Sequence, residues 1–155
     1  MNSIKHTKPR PSLAALMAGM ALILTAGAIT APSASATPLT DTARERLQTY
    51  AGQAKKTAPS FTAFSAERGR TLYFSEHKTK DGKTISCSTC HTRDPAKEGR
   101  SDVGKTLAPL SPAVNPKRFT DADEVEKWFR RNCKEVLGRV CTPQEKGDFI
   151  LFLFS

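Results

Sequence analysis

The sequence predicts a small all-α domain, and three observations carry that prediction. Apolar residues recur at helical spacing in four segments, each opened by a capping residue. No segment alternates apolar and polar residues as a half-buried strand would. Between the second and third helical segments stands Cys87-Ser88-Thr89-Cys90-His91, a C-x-x-C-H run, which is the attachment signature of a c-type haem. Two thiols at that spacing add across two vinyl groups of one porphyrin edge. The histidine that follows is thereby brought beneath the iron as its proximal ligand. The expected architecture is therefore helical and folded around one haem c, attached through Cys87 and Cys90 with His91 on the metal.

Residues 1–36 read as a removable leader. Lys5, Lys8 and Arg10 make a positive start, and Leu13 to about Ala28 is an apolar run too short and alanine-rich for a comfortable membrane span. Ala34-Ser35-Ala36 fits the small-x-small cleavage rule. No twin-arginine pair precedes it, so the expected route is general secretion of the unfolded chain. An uncleaved anchor is the competing reading. Cleavage after Ala36 leaves 119 of the 155 residues, Thr37 to Ser155, and lowers the formal net charge from +9 to +6. The expected product is one small periplasmic domain with no stable membrane anchor. Two haem propionates lower its charge further. A moderately basic surface suits an acidic redox partner, and equally a plain solvated surface. Nothing resembles a nucleic-acid motif or an aromatic-interleaved basic stripe.

The helices follow in order. Within residues 37–64, Leu39, Ala43, Leu47, Tyr50, Ala51 and Ala54 share a helical face from Thr40 to about Lys55, and Thr57 to Phe64, with Pro59, is a linker. Residues 65–155 are the expected haem domain. Ser65 caps a second helix to about Glu76 that carries Gly69, Leu72 and Tyr73 on one face. Gly69 permits another helix to approach closely, and the last helix is expected to cross there. Lys78 to Ser86 is a loop. Arg93 to Pro116, broken by Pro95, Gly99, Gly104, Pro109, Pro112 and Pro116, is expected to wrap the haem edge with Val103, Leu107, Leu110 and Val114. Thr120 opens a third helix with Asp123 three residues on, an acidic variant of the capping box. Val125, Trp128, Phe129 and Asn132 follow at helical spacing. Thr142-Pro143-Gln144-Glu145 opens the last, with Phe149, Ile150, Leu153 and Phe154 as its apolar face.

With Cys87 and Cys90 assigned to the haem, Cys133 and Cys141 remain, and an oxidising compartment favours their pairing. A thioredoxin-like role for Cys87 and Cys90 needs a βαβ context that is missing. A zinc site lacks a second C-x-x-C or H-x-x-x-H pair.

The distal face of the iron is less determined. Met1, Met17 and Met20 are the only methionines, and all lie in the leader. Beyond His91 the mature chain holds one histidine, His77, in polar company beside Lys78 and Lys80 that suits a surface residue. Lysine ligation singles out no lysine. Asn132 lies on the Trp128-Phe129 helix immediately before Cys133, where helix C-capping is the plain reading. On the proximal side, the carbonyl of Pro109 or a neighbour is expected to accept from the second ring nitrogen of His91.

Several runs together widen the view: Glu67-Arg68-Gly69-Arg70, the C-S-T-C-H motif, Ala108-Pro109-Leu110-Ser111-Pro112, Arg118-Phe119-Thr120-Asp121, Val125-Glu126-Lys127-Trp128-Phe129, Arg131-Asn132-Cys133 and Leu137-Gly138-Arg139-x-Cys141-Thr142. From about Glu67 to Leu153 the chain resembles the sphaeroides haem protein (SHP) family. The resemblance implies a class I cytochrome c-like fold and an asparagine side chain on the oxidised iron, which by position is Asn132. It also implies a disulfide at Cys133 and Cys141 and a dihaem cytochrome c as electron donor. An amide oxygen is a hard, neutral donor that favours ferric over ferrous iron. Reduction is then expected to release Asn132 and open the iron to a small diatomic, dioxygen or nitric oxide.

Competing functions make different demands. A plain electron carrier benefits from two permanent ligands, and the mature chain has no methionine for the second. A reductase or oxygenase acting on oxygen or nitrogen oxides needs a distal acid–base pair, and in the mature chain only His77 is spare. A gas sensor needs an output domain for which 119 residues leave no room.

Overall fold

The structure, a computed structural model, is described for residues 36–155. The predicted leader, but for Ala36, lies outside the described residues. Five helices form the framework: α1 (Asp41–Thr57), α2 (Ala66–Phe74), the short α3 (Cys87–His91), α4 (Ala122–Leu137) and α5 (Pro143–Phe154). The all-α expectation holds. Two minimal antiparallel ladders were not anticipated: β1 (His77–Lys78) with β2 (Thr84–Ile85), and β3 (Gly99–Arg100) with β4 (Thr106–Leu107). Two-residue strands are too short to alternate visibly. Their turns do leave a signal, because Thr79-x-x-Gly82-Lys83 and Ser101-x-x-Gly104-Lys105 are built alike. Each glycine has positive φ, +80° and +79°, the left-handed position that closes such hairpins.

Thr40 caps α1 as expected, its hydroxyl accepting from the Ala43 N–H at 3.0 Å. Ala43, Tyr50 and Ala54 of α1 are buried. The Tyr50 hydroxyl donates to Glu126, whose other oxygen accepts from Lys146 at 2.7 Å. The N-terminal helix is thus joined to both α4 and α5.

Helix α2 starts at the expected cap, with Ser65 accepting from the Arg68 N–H at 3.2 Å. It ends at Phe74 rather than Glu76, since Ser75 turns extended (φ −64°, ψ 131°) and His77 is drawn into the β1–β2 ladder. Helix α4 begins one residue later than expected. Thr120 spends its hydroxyl on the Lys117 carbonyl at 2.8 Å, and Asp121 accepts from the Glu124 N–H at 2.9 Å instead. The chain arrives there through Phe119 at φ 57°. At α5 the capping box is as expected: Thr142 accepts from the Glu145 N–H at 3.2 Å, and Glu145 from the Thr142 N–H at 2.8 Å.

Helices α2 and α5 cross at Gly69, as its position predicts. A Cβ there would stand 2.0 Å from the Asp148 carbonyl oxygen. Beside that crossing Asp148 is 3% exposed. Its carboxylate accepts from the Ser65 N–H at 2.6 Å and from Arg68 at 2.8 and 2.9 Å, so burial does not leave the charge unpaired. Cys133 and Cys141 are bridged, with Cα atoms 5.5 Å apart, which ties the end of α4 to the start of α5. Closing so short a loop stabilises the fold by about 2–3 kcal/mol in the chain-entropy account.

Candidate cofactor site

A cavity of about 580 Å³ opens among α2, α3, α4, α5 and the segment that follows α3. Leu72, Ile85, Leu107, Leu110, Phe119, Phe129 and Phe149 give it apolar walls. Cys87, Cys90, His91 and Asn132 all line it, and so do Cys133 and Cys141. The C-x-x-C-H run and Asn132, 41 residues after His91, are therefore brought to one space.

The two thiols stand on α3, unbridged and half-buried. Burial pushes Cys87 up to about 11 and raises Cys90 as well. Both are neutral thiols at physiological pH. A dithiol redox catalyst depends on a depressed thiolate pKa, so that reading fails here. Among the described residues no three His, Cys, Asp or Glu side chains group as a metal-ion site. His91 is pushed down to about 4, chiefly by burial and further by the charge of Arg118. Its imidazole is neutral, with a lone pair available to a metal.

The Pro109 carbonyl does not serve His91. It accepts from Asn115 Nδ2 at 3.0 Å and Arg118 Nε at 2.8 Å, so its capacity is taken. Arg118 is the residue that sequence reasoning missed. It lines the cavity and also donates to the Ala108 carbonyl at 2.8 Å. It forms none of the ion pairs among the described residues. A half-buried guanidinium with no carboxylate partner is a site for an anionic group. Its sequence signal is weak, since an arginine after a proline-rich loop is ordinary.

Asn132 sits inside α4, well before the C-cap at Gly138 (φ 68°). It caps nothing, which removes the plain reading of that residue, and its amide takes part in no side-chain hydrogen bond of the described residues. His77 lies outside the cavity lining, with Nε2 2.9 Å from Ser75 Oγ. Val103, Leu107 and Leu110 line the cavity as expected. Val114 does not: it is 55% exposed, because the turn at Ser111 buries Pro112 and turns Val114 outward.

These features fit a haem c. The walls are apolar, two neutral thiols stand at C-x-x-C spacing, a neutral imidazole follows them, and a lone guanidinium is ready for a carboxylate.

A family profile described as "Domain of unknown function (DUF1924)" matches residues 59–153. Over 114 residues the chain is 40% identical to cytochrome c'' of Methylophilus methylotrophus, a span of 73% of this chain and 79% of that protein. The chain belongs to this family of c-type cytochromes. It is also 49% identical over 88 residues to the cytochrome c-type protein SHP of Cereibacter sphaeroides, across 57% of this chain and 68% of that one. The fold agrees at the level of coordinates. Oxidised cytochrome c'' superposes with a TM-score of 0.68 at 39% identity, covering 74% of this chain and 94% of that one. Oxidised SHP, described as an oxygen-binding cytochrome c, gives 0.64 at 38%, covering 77% and 97%. A solution structure of cytochrome c'' is described in terms of haem-ligand detachment. This cytochrome is accordingly all-α, with a cytochrome c fold around one haem c.

Proposed function

We propose that this cytochrome takes an electron and then opens its haem to dioxygen or nitric oxide, with Asn132 as a ligand that holds the oxidised iron and leaves on reduction. The observation that carries the reading is the unpartnered Asn132 amide on the wall of a cavity shared with His91. When bound, the haem supplies a one-electron couple and an exchangeable coordination position.

The chain's own residues do the rest. Cys87 and Cys90 anchor the cofactor covalently, and neutral His91 holds the iron through both oxidation states. Arg118, without an ion-pair partner among the described residues, would pair with a propionate and keep that carboxylate charged in an apolar setting. The Asn132 oxygen is a hard, uncharged donor, so it binds ferric iron better than ferrous. Its departure breaks no protein hydrogen bond. The neighbouring disulfide keeps the α4 backbone in place, so the side chain leaves by rotation and remains within reach for return. Oxygen binding by SHP and the haem-ligand detachment described for cytochrome c'' support this reading.

The same reading takes residues 1–36 as a cleaved leader, the periplasm as the compartment and a dihaem cytochrome c as the electron donor. The leader's composition, the bridged cysteines and the basic surface support the first two and suit the third. His77, the imidazole other than His91 among the described residues, lies outside the cavity lining.

Replacing Asn132 by alanine tests the ligand. The ferric optical spectrum should change from low-spin to high-spin. An added ferric ligand such as imidazole should bind about tenfold or more tightly, since no protein donor then competes for the position. An unchanged ferric spectrum and unchanged affinity would remove Asn132 from the iron.

A further inference from the structure

The backbone leaves α3 through a conformation that residues with side chains avoid. Thr92, directly after His91, has φ 63° and ψ 176°, a region that is essentially glycine's and is strained for a threonine. A five-residue helix cannot enforce such a joint, so other contacts hold it. Gly99 lies against the back of α3 so closely that a Cβ would stand 2.1 Å from the Cys90 carbonyl oxygen and 2.9 Å from the His91 Cα. The Thr92 hydroxyl bonds to Asp94, donating to its carbonyl at 2.9 Å and accepting from its N–H at 3.2 Å.

The third contact comes from α2. The Tyr73 hydroxyl stands 2.9 Å from the His91 carbonyl oxygen and 2.7 Å from that of Thr92, and its one proton is shared between them. Tyr73 is 0% exposed, wedged among Phe74, Phe149 and Phe152 with ring centroids 5.0, 6.2 and 5.3 Å away. The ring cannot swing away, and burial raises its pKa, which keeps the hydroxyl a donor. Phenylalanine would fill the same space, so packing alone does not account for the oxygen.

A metal-ligating histidine is usually aimed by a bond from its second ring nitrogen. Here the expected acceptor, the Pro109 carbonyl, is occupied by Asn115 and Arg118. No side-chain hydrogen bond from the His91 ring is formed among the described residues, which gives the backbone that carries it a larger part in its aim. We infer that Tyr73 is a positioning residue for His91, its hydroxyl locking the strained His91–Thr92 joint and so fixing the imidazole's direction into the cavity. This rests on the reading of His91 as the permanent iron ligand.

The test is resonance Raman spectroscopy of the ferrous, ligand-free holoprotein, followed at the iron–histidine stretching band, beside thermal unfolding. Tyr73→Phe keeps the ring and removes the hydroxyl, and it should shift and broaden the band. Phe152→Leu disturbs the same aromatic cluster without touching the carbonyls, and it should lower the melting temperature while leaving the band in place. A band unmoved in Tyr73→Phe, or moved equally in Phe152→Leu, would overturn the inference. Absence of the band from the unsubstituted ferrous protein is a separate result: with a low-spin ferrous spectrum it would overturn the proposed opening of the distal site, and with a high-spin spectrum it would overturn the assignment of His91 to the iron, and the inference with it.

Discussion

Arg118 and Asn132 differ in what they offer the cavity: a permanent positive charge and a weak neutral donor. A fixed cation near the iron disfavours the more positive ferric state, so Arg118→Gln should lower the reduction potential, and potentiometric titration of the holoprotein measures it. An unchanged potential would place the guanidinium away from any propionate. Cys87, Cys90 and His91 were legible because their chemistry lies in consecutive sequence. Arg118 and Tyr73 were not, because their partners are distant in the chain: the carbonyls that Arg118 bonds lie 9 and 10 residues before it, and His91 lies 18 after Tyr73. The Thr120 cap was misjudged for a similar reason. Thr120 and Asp121 are both good capping residues, and only the turn through Phe119 decides between them.

Helix starts and crossings were largely readable. Thr40, Ser65 and Thr142 cap as their spacing implies, and Gly69 marks the α2–α5 contact through its missing side chain. The two-residue ladders and the early end of α2 come from pairing between strands, which local periodicity does not register. The junction from α4 to α5 carries a pH prediction. The Arg139 guanidinium, bonded to Glu145 at 2.6 and 2.8 Å, holds that carboxyl below its ordinary 4.5. A carboxyl depressed in the folded state contributes stability above its unfolded pKa, and that contribution is lost as pH falls through the folded value. Thermal unfolding between pH 3 and 7 should therefore show a shallower acid decline in Arg139→Gln than in the parent protein. The expected difference is about 0.5–1 kcal/mol, since the arginine is half-exposed. Identical acid limbs would contradict it.

At the scale of the whole molecule, four of the five helices, α2 to α5, line a cavity that the cofactor completes. Haem contact adds apolar burial that a domain of this size needs, so the holoprotein is expected to be markedly more stable than its haem-free form. Among the described residues no helix is long and apolar enough to cross a membrane. Intact-mass analysis of the exported protein should find Thr37 at its N-terminus, one haem added and two hydrogens fewer than a chain with Cys133 and Cys141 reduced. A retained leader would contradict the processing, and two free thiols the bridge.

In the proposed switch, the electron loosens one bond in an otherwise fixed fold. The optical spectrum of the fully reduced protein, with no ligand added, tests it most directly. A high-spin, five-coordinate ferrous spectrum that converts on addition of nitric oxide is the predicted result. A low-spin, six-coordinate ferrous spectrum would mean that the distal ligand stays through reduction, and the protein would then be an ordinary electron carrier.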